Sequence, residues 1–352
     1  MNRTAVTYAF LSAALFGAST PAAKVLVGVI HPVVLAGLLY CGAGVGVALL
    51  RRLPAGIWRS ADAAEGTLRR ADVPWLAGAI AAGGVLGPLL LMVGLASTDA
   101  ATASLLLTLE GAATVLLAWF VFAENFDRRI ALGMVLLVLG AAVLSWSGTP
   151  ALATLIGPLA IVGACAAWGL DNNLTRKVSL ADPLQIVQWK GLIAGPINLA
   201  LGLSAGGALP GALPALASGV VGFFGYGVSL ALFVLALRHL GAARTSAYFS
   251  TAPFIGAVIA IALLGESFGW QLMLAGTLMA IGVWLHLSEH HEHEHRHEPM
   301  VHVHPHVHDE HHRHEHGSGD PPGEPHTHVH AHGRIRHAHP HAPDMHHLHT
   351  HD

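Results

Sequence analysis

The chain of 352 residues is 53% hydrophobic and 11% charged; soluble domains carry about 25% charged residues, so an ordinary soluble globular protein is excluded. Its formal charge of −3 hides two populations, 14 Lys/Arg against 11 Asp/Glu from Met1 to Glu289 and 4 against 10 from His290 onward. Of 27 histidines, all but His31, His239 and His286 lie in that acidic C-terminal part, and the two parts are best read separately.

A hydrocarbon core of ~30 Å asks for about 20 apolar residues per helix. Runs of that kind recur at 4–28, 33–50, 73–96, 100–122, 129–147, 154–176, 183–205, 213–237, 244–264 and 269–288. The spacing predicts an all-α membrane protein of ten transmembrane helices. Its 40 glycines suit close helix packing in lipid. The first run has the look of a secretory signal, with Arg3 before it, but a related segment recurs in mid-chain, so it reads as a span. Cys41 and Cys165 lie far apart inside apolar runs and read as small buried hydrophobes, not as a disulfide or zinc framework.

Basic residues set the orientation. With the N-terminus in the cytoplasm, the inner segments hold Arg3, then Arg51, Arg52, Arg59, Arg69 and Arg70, then Arg128 and Arg129, Arg176 and Lys177, and Arg238 and Arg244. The outer loops GVIHP, STDA, SGTPALAT, SAGGALPGALPA and GESFGWQ carry no Lys or Arg. Both termini are therefore expected in the cytoplasm of a bacterial-type inner (plasma) membrane.

The halves repeat each other. LASTDAATASLLLTLEGAATVLLAWFVFAENF (95–126) aligns without a gap on LRHLGAARTSAYFSTAPFIGAVIAIALLGESF (237–268), and ALFGASTPAAK (14–24) echoes AAWGLDNNLTR (166–176). Each copy holds five spans, so the second must be inverted in the bilayer, as in many secondary transporters whose site lies between the halves. The expected domains are residues 1–148, residues 149–289 and a tail, 290–352. LFGASTPAAK, LLLTLEGAATVLLAWFVFAEN and APFIGAVIAIALLGES together make residues 4–288 resemble the EamA-type drug/metabolite transporters. The resemblance implies a ten-helix inner-membrane exporter of small metabolites with a central cavity. It names no substrate and does not extend to the tail.

A charge inside a span costs at least ~2.5–3.5 kcal/mol, so each needs a reason. Glu110 lies mid-span and can cycle a proton. Asp171, beside Asn172 and Asn173, lies at a depth similar to Lys190, near Gln185 and Gln188. The two charges form either a structural pair or part of a substrate pathway. Lys24 either snorkels or faces the cavity. Trp168, Tyr226 and Tyr248 are candidates for the cavity wall, with packing or interface anchoring as the alternative. Glu124 and Glu266 stand at helix ends, where a cap or solvent explains them, and His31 and His239 read as loop residues.

The tail carries its own repeat. Residues 291–316 align with 326–351, and thirteen of 26 positions are identical, eleven of them histidine. The conserved set is His291, His293, His295, His297, His302, His304, His306, His311, His312, His314 and His316 in the first block. His326, His328, His330, His332, His337, His339, His341, His346, His347, His349 and His351 answer them in the second. Histidine spacing survives here while the residues between it drift, which neither a tag nor a solvated tail explains. Imidazole is a ligand for zinc, nickel, cobalt or copper, and this composition builds no core, so a disordered metal-binding tail is expected. A proton sensor is the rival reading.

Two transport functions remain open. One is export of a small polar metabolite, with a cytoplasmic tail that binds or senses divalent metal; the other is divalent-metal efflux fed by that tail. A metal path needs clustered ligands, whereas the spans offer isolated carboxylates and two lysines, which favours the metabolite. A tethered metal store that transports nothing leaves the repeat and the buried charges unexplained. Without a nucleophile motif, H-E-x-x-H or phosphate loop, an enzyme is not expected. The expected partners are the lipid bilayer, a small-molecule substrate and divalent metal ions, with no nucleic acid. A homodimer stays open, and no cofactor is required for transport.

Overall fold

The structure, a computed structural model, describes residues 3–52, 68–122, 128–146, 152–178, 181–233, 235–236, 245 and 248–287, and in the tail the backbone of 291–297, 300–306, 326–332 and 335–341. Helices α1 (Arg3–Val27) and α2 (Pro32–Leu50) come first. Next are α3 (Val73–Ala79) and α4 (Gly87–Ser97), joined by a π-helical segment, Ile80–Leu86. The first half ends with α5 (Ala100–Leu106), α6 (Leu109–Phe122) and α7 (Arg128–Ser145). The second half holds α8 (Leu152–Arg176), α9 (Pro183–Ser204) and α10 (Ala212–Gly222), which runs into a second π segment, Phe223–Val228. It closes with α11 (Ala252–Leu264) and α12 (Trp270–Leu287). Among the described residues seven helical stretches are long and apolar enough to cross a membrane, beside the shorter apolar helices Ala131–Ser145, Ala252–Leu264 and Trp270–Leu285.

Local chemistry explains where these helices begin and end. Pro32 and Pro183 open α2 and α9, where a missing N–H costs nothing. The Asp182 carboxylate accepts from the Leu184 N–H at 2.9 Å. Gly265, at φ 68°, ends α11 in the left-handed region that glycine adopts without strain.

Packing follows a two-fold rule. α2 lies against α9, its counterpart in the other half, and α7 lies against α12. Both pairs run antiparallel: a Cβ at Gly37 would meet Leu199, one at Gly44 would meet Leu192, and one at Gly202 would meet Val34. The off-axis contacts come in mates, α1 with α11 and α8 with α6. Within these mates Gly17 abuts Gly256, and Gly169 abuts Thr114, positions that the sequence repeat makes equivalent. Lipid supplies no hydrophobic drive between helices, so close backbone approach must supply van der Waals contact instead. A Cβ at Gly44 would stand 2.5 Å from the Leu192 nitrogen.

Two irregularities are also shared. The π segments occupy the third span of each half. The fourth span breaks in each half within one residue of the equivalent place, at Leu107–Thr108 between α5 and α6 and at Ser250–Thr251 ahead of α11. Thr108 Oγ1 donates back to the Leu105 carbonyl at 2.8 Å and Thr251 Oγ1 to Tyr248 at 2.6 Å. A hydroxyl that serves the turn before it competes with the main-chain ladder.

The described backbone of the tail consists of four short strands. Strands β1 (His291–His297) and β4 (Ile335–His341) pair antiparallel, as do β2 (Met300–His306) and β3 (His326–His332). A two-stranded ladder needs main-chain donors and acceptors but no core, and the H-x-H alternation has the two-residue period of a strand.

Candidate functional site

Gly83, in the first π segment, is the hub of the polar interior. Its carbonyl accepts from the Tyr40 hydroxyl at 2.7 Å and from Trp168 Nε1 at 3.0 Å. The next carbonyl, Gly84, accepts from the Asn198 amide at 2.9 Å. Wide π turns loosen the i→i−4 pattern, and such bulges recur at functional sites. Here side chains from α2, α8 and α9 take up the loosened carbonyls. Gly83 also permits the approach of Asp171, for a Cβ there would coincide with the Asp171 carboxylate.

Asp171 is buried on α8 and pairs with Lys190 of α9, Nζ lying 2.6 Å from Oδ1 and 2.8 Å from Oδ2. Thr175 Oγ1, one turn on from Asp171, donates to Oδ1 at 2.8 Å, and Nζ lies 3.1 Å from that hydroxyl. Next along α8, Asn172 donates to Glu110 at 3.0 Å and to Thr114 Oγ1 at 3.2 Å. Glu110 falls in the first turn of α6, just past the break in span four. There unpaired N–H groups and the helix dipole favour a negative charge. An amide, not a cation, holds this carboxylate. Asn173 ties the seam together by donating to the carbonyls of Gly169 at 2.8 Å and Thr114 at 3.1 Å.

The remaining candidates lie around or away from this cluster. Tyr226, in the second π segment, packs tilted against Tyr40 at 5.6 Å and edge-on against Phe16 at 6.0 Å, so Tyr40 links the two π segments. Tyr248 packs on Phe10 at 4.8 Å. Gln188 Oε1 accepts from Arg51 at 2.5 Å, and Arg51 also pairs with Asp182 at 3.0 Å. At the opposite end of the bundle, Lys24 donates to the carbonyls of Leu95 at 2.6 Å and Thr98 at 2.7 Å, where α4 ends. Near it, Glu266 crosses between halves to accept from the N–H groups of Ala100 and Ala101, each at 2.7 Å. It therefore caps α5, not its own helix. Glu124 and His239, and the side chains of all 24 tail histidines, lie outside the described residues.

Sequence reasoning passed over Tyr40, Gly83, Thr114, Thr175 and Asn198. One signal was available. GG at 83–84 and FGYG at 224–227 stand at matching places in the third span of each half, and isolated tyrosines with polar tips sit mid-membrane in GLLYCGAG and FFGYGV.

The symmetry is broken in one respect. The repeat makes Phe16, Ser19, Thr20 and Ala252 equivalent to Trp168, Asp171, Asn172 and Glu110. That mate seam is lined by Phe16, Gly17, Thr20, Ser104, Leu107, Ala252 and Pro253, without an ionisable side chain. One seam is charged; the lining of its twin is not.

Comparison with known proteins agrees with this two-fold build. The EamA-like transporter family matches twice, over residues 3–146 and 155–288. An uncharacterized transporter of Methanothermobacter thermautotrophicus is 30% identical over 287 residues, 77% of this chain and 82% of that protein. A solved structure titled only as a crystal structure of a protein superposes with a TM-score of 0.57 at 17% identity, over 80% of this chain and 95% of the other, which is a likeness of fold.

Proposed function

Because the chain belongs to the EamA-like transporter family, we propose that it is a ten-span secondary transporter with inverted halves. In this reading both termini are cytoplasmic, and the protein exports a small polar metabolite through the seam between α6 and α8. The observation that carries the reading is Glu110. It is a carboxylate at the start of a broken helix, held by Asn172 beside an ion pair that already neutralises itself. When all three are ionised, Glu110, Asp171 and Lys190 carry a net charge of −1. That balance suits a solute bearing an ammonium group, or a proton exchanged against it.

Divalent-metal efflux suits the seam less well. Lys190 Nζ lies 2.6 Å from Asp171, and an ammonium there repels a second cation. Among the described residues no three of His, Cys, Asp and Glu come together. The tail, in the same proposal, binds zinc, nickel, cobalt or copper and conveys cytoplasmic metal status to the transporter. Its support is the repeated histidine spacing.

The test is a metabolite- and metal-sensitivity profile of a strain lacking the protein, complemented with wild type or with Glu110→Gln. Glu110→Gln is expected to insert and fold, yet to leave the metabolite sensitivity unrelieved. Full rescue by Glu110→Gln between about pH 5 and 8 would remove Glu110 from the mechanism.

A further inference from the structure

The two strand ladders of the tail share one register. In β1/β4, His291 faces His341, His293 faces His339 and His295 faces His337. In β2/β3, His302 faces His330, His304 faces His328 and His306 faces His326. The residue numbers of every pair, in both ladders, add to the same total. A common total is what two stretches of a single antiparallel hairpin would show.

This match is demanding. In the first block the histidines that face histidine hold odd positions over 291–295 and even positions over 302–306, while His297 faces Ile335. In the second they are even over 326–330 and odd over 337–341, while His332 faces Met300. An antiparallel pairing keeps histidine opposite histidine in both ladders only if the two phase changes face each other. They do: the change of phase falls between β1 and β2 in the first block and between β3 and β4 in the second, and β1 pairs with β4 as β2 pairs with β3. The residues between the histidines match less regularly: Arg296 faces Arg336 and Val303 faces Val329, whereas Glu292 faces Pro340, Glu294 faces Ala338 and Pro305 faces Thr327.

Directly opposed residues of an antiparallel pair share a face, with Cβ atoms ~4.5–5.5 Å apart. Along one strand, every second residue returns to that face after ~7 Å. Each ladder thus places three facing pairs on one face. A zinc–nitrogen bond is ~2.0–2.1 Å, so two opposed imidazoles are within reach of a single ion, and a neighbouring pair can complete four ligands.

We propose that the two histidine blocks close on each other as one hairpin whose cross-strand histidine pairs bind divalent transition-metal ions, in two clusters, one per ladder. The proposal rests on the metal-binding reading of the tail and adds what that reading leaves open. The two blocks are halves of the same sites, not two independent copies, and metal takes the place of a hydrophobic core. Ordinary imidazole takes up a proton near pH 6.5. Mild acid would then set like charges opposite one another at six pairs and open the hairpin as the ions leave.

Zinc bound per molecule of the full-length protein in detergent, measured by equilibrium dialysis and atomic emission near pH 7.5, separates the outcomes. Three changes in β2 (His302→Gln, His304→Gln, His306→Gln) remove one side of a ladder, and three in β3 (His326→Gln, His328→Gln, His330→Gln) remove the other. Each set is expected to abolish the same cluster, so both sets together lose no more zinc than either alone. Combining the β2 set with His337→Gln, His339→Gln and His341→Gln in β4 is expected to lose twice as much. Additive losses from the facing β2 and β3 sets would overturn the hairpin while leaving metal binding intact. No zinc on the wild-type protein would overturn the metal reading, and the hairpin with it.

Discussion

Removing the ammonium of Lys190 while leaving the carboxylate of Asp171 isolates the physics of the charged seam. The two side chains are 12% and 10% exposed, and Nζ spans both carboxylate oxygens. In Lys190→Met, Asp171 keeps, among the described residues, only the Thr175 hydroxyl as a side-chain donor. It is then an uncompensated charge at membrane depth. Breaking a buried pair from one side costs about 3–5 kcal/mol. Replacing both partners by neutral groups of similar size costs far less, because the desolvation of two ions disappears along with their attraction. Asp171→Asn combined with Lys190→Met is therefore expected to fall within about 1 kcal/mol of wild type. The assay is equilibrium unfolding of the detergent-solubilised protein followed by tryptophan fluorescence, with the four proteins forming a double-mutant cycle. A coupling energy of several kcal/mol is expected. A loss under about 1 kcal/mol in Lys190→Met, or a double variant as unstable as the sum of the singles, would show that the pair is solvated and that the seam is not the low-dielectric site described here.

Three further outcomes are expected. Gly222→Val drives a side chain into the Leu39 carbonyl across the α2–α10 contact, whereas Gly219→Ala opens onto free space. The first should cost about 1–3 kcal/mol or more and lower the folded yield, the second should be silent, and equal yields would refute the packing. Glu266→Ala deprives two N–H groups of their acceptor and should cost about 1–2 kcal/mol in the same unfolding assay, with Glu266→Gln costing roughly half of that. A wild-type unfolding curve for Glu266→Ala would refute the cross-half cap. Fusions of a cytoplasm-only reporter at positions 60, 127, 240 and 300 should be active and those at 98, 150 and 208 inactive, given outer loops without Lys or Arg; activity at 150 or 208 would overturn the topology.

Much of the bundle is legible in the sequence because hydropathy and internal repetition are properties of the chain itself. Apolar run lengths mark where helices form, since lipid leaves a backbone no other way to satisfy its N–H and C=O groups. Two aligned copies, each with an odd number of spans, already require counterpart helices to run antiparallel, and α2 on α9 does so. The charges that need an explanation could likewise be read off, as each stands alone in an apolar run.

Which of those charges meet was decided only in three dimensions. Glu110 and Asn172 are 62 residues apart and belong to different halves. Their contact exists because Gly169 lets α8 close on Ala113 and Thr114 of α6. Lys24 resembles Lys190 in sequence, but α4 ends beside it and offers two carbonyls. Glu266 reads as the end of its own helix, yet Gly265 turns the chain back so that it caps the other half. The π segments leave little trace because they depend on which neighbours can take the loosened carbonyls, and Tyr40, Trp168 and Asn198 reach Gly83 and Gly84 only once the helices have packed. In the tail, composition revealed the histidines and their repeat. The register that sets one block against the other arises from strand pairing, where main-chain hydrogen bonds choose the alignment and a single-residue slip would part every pair.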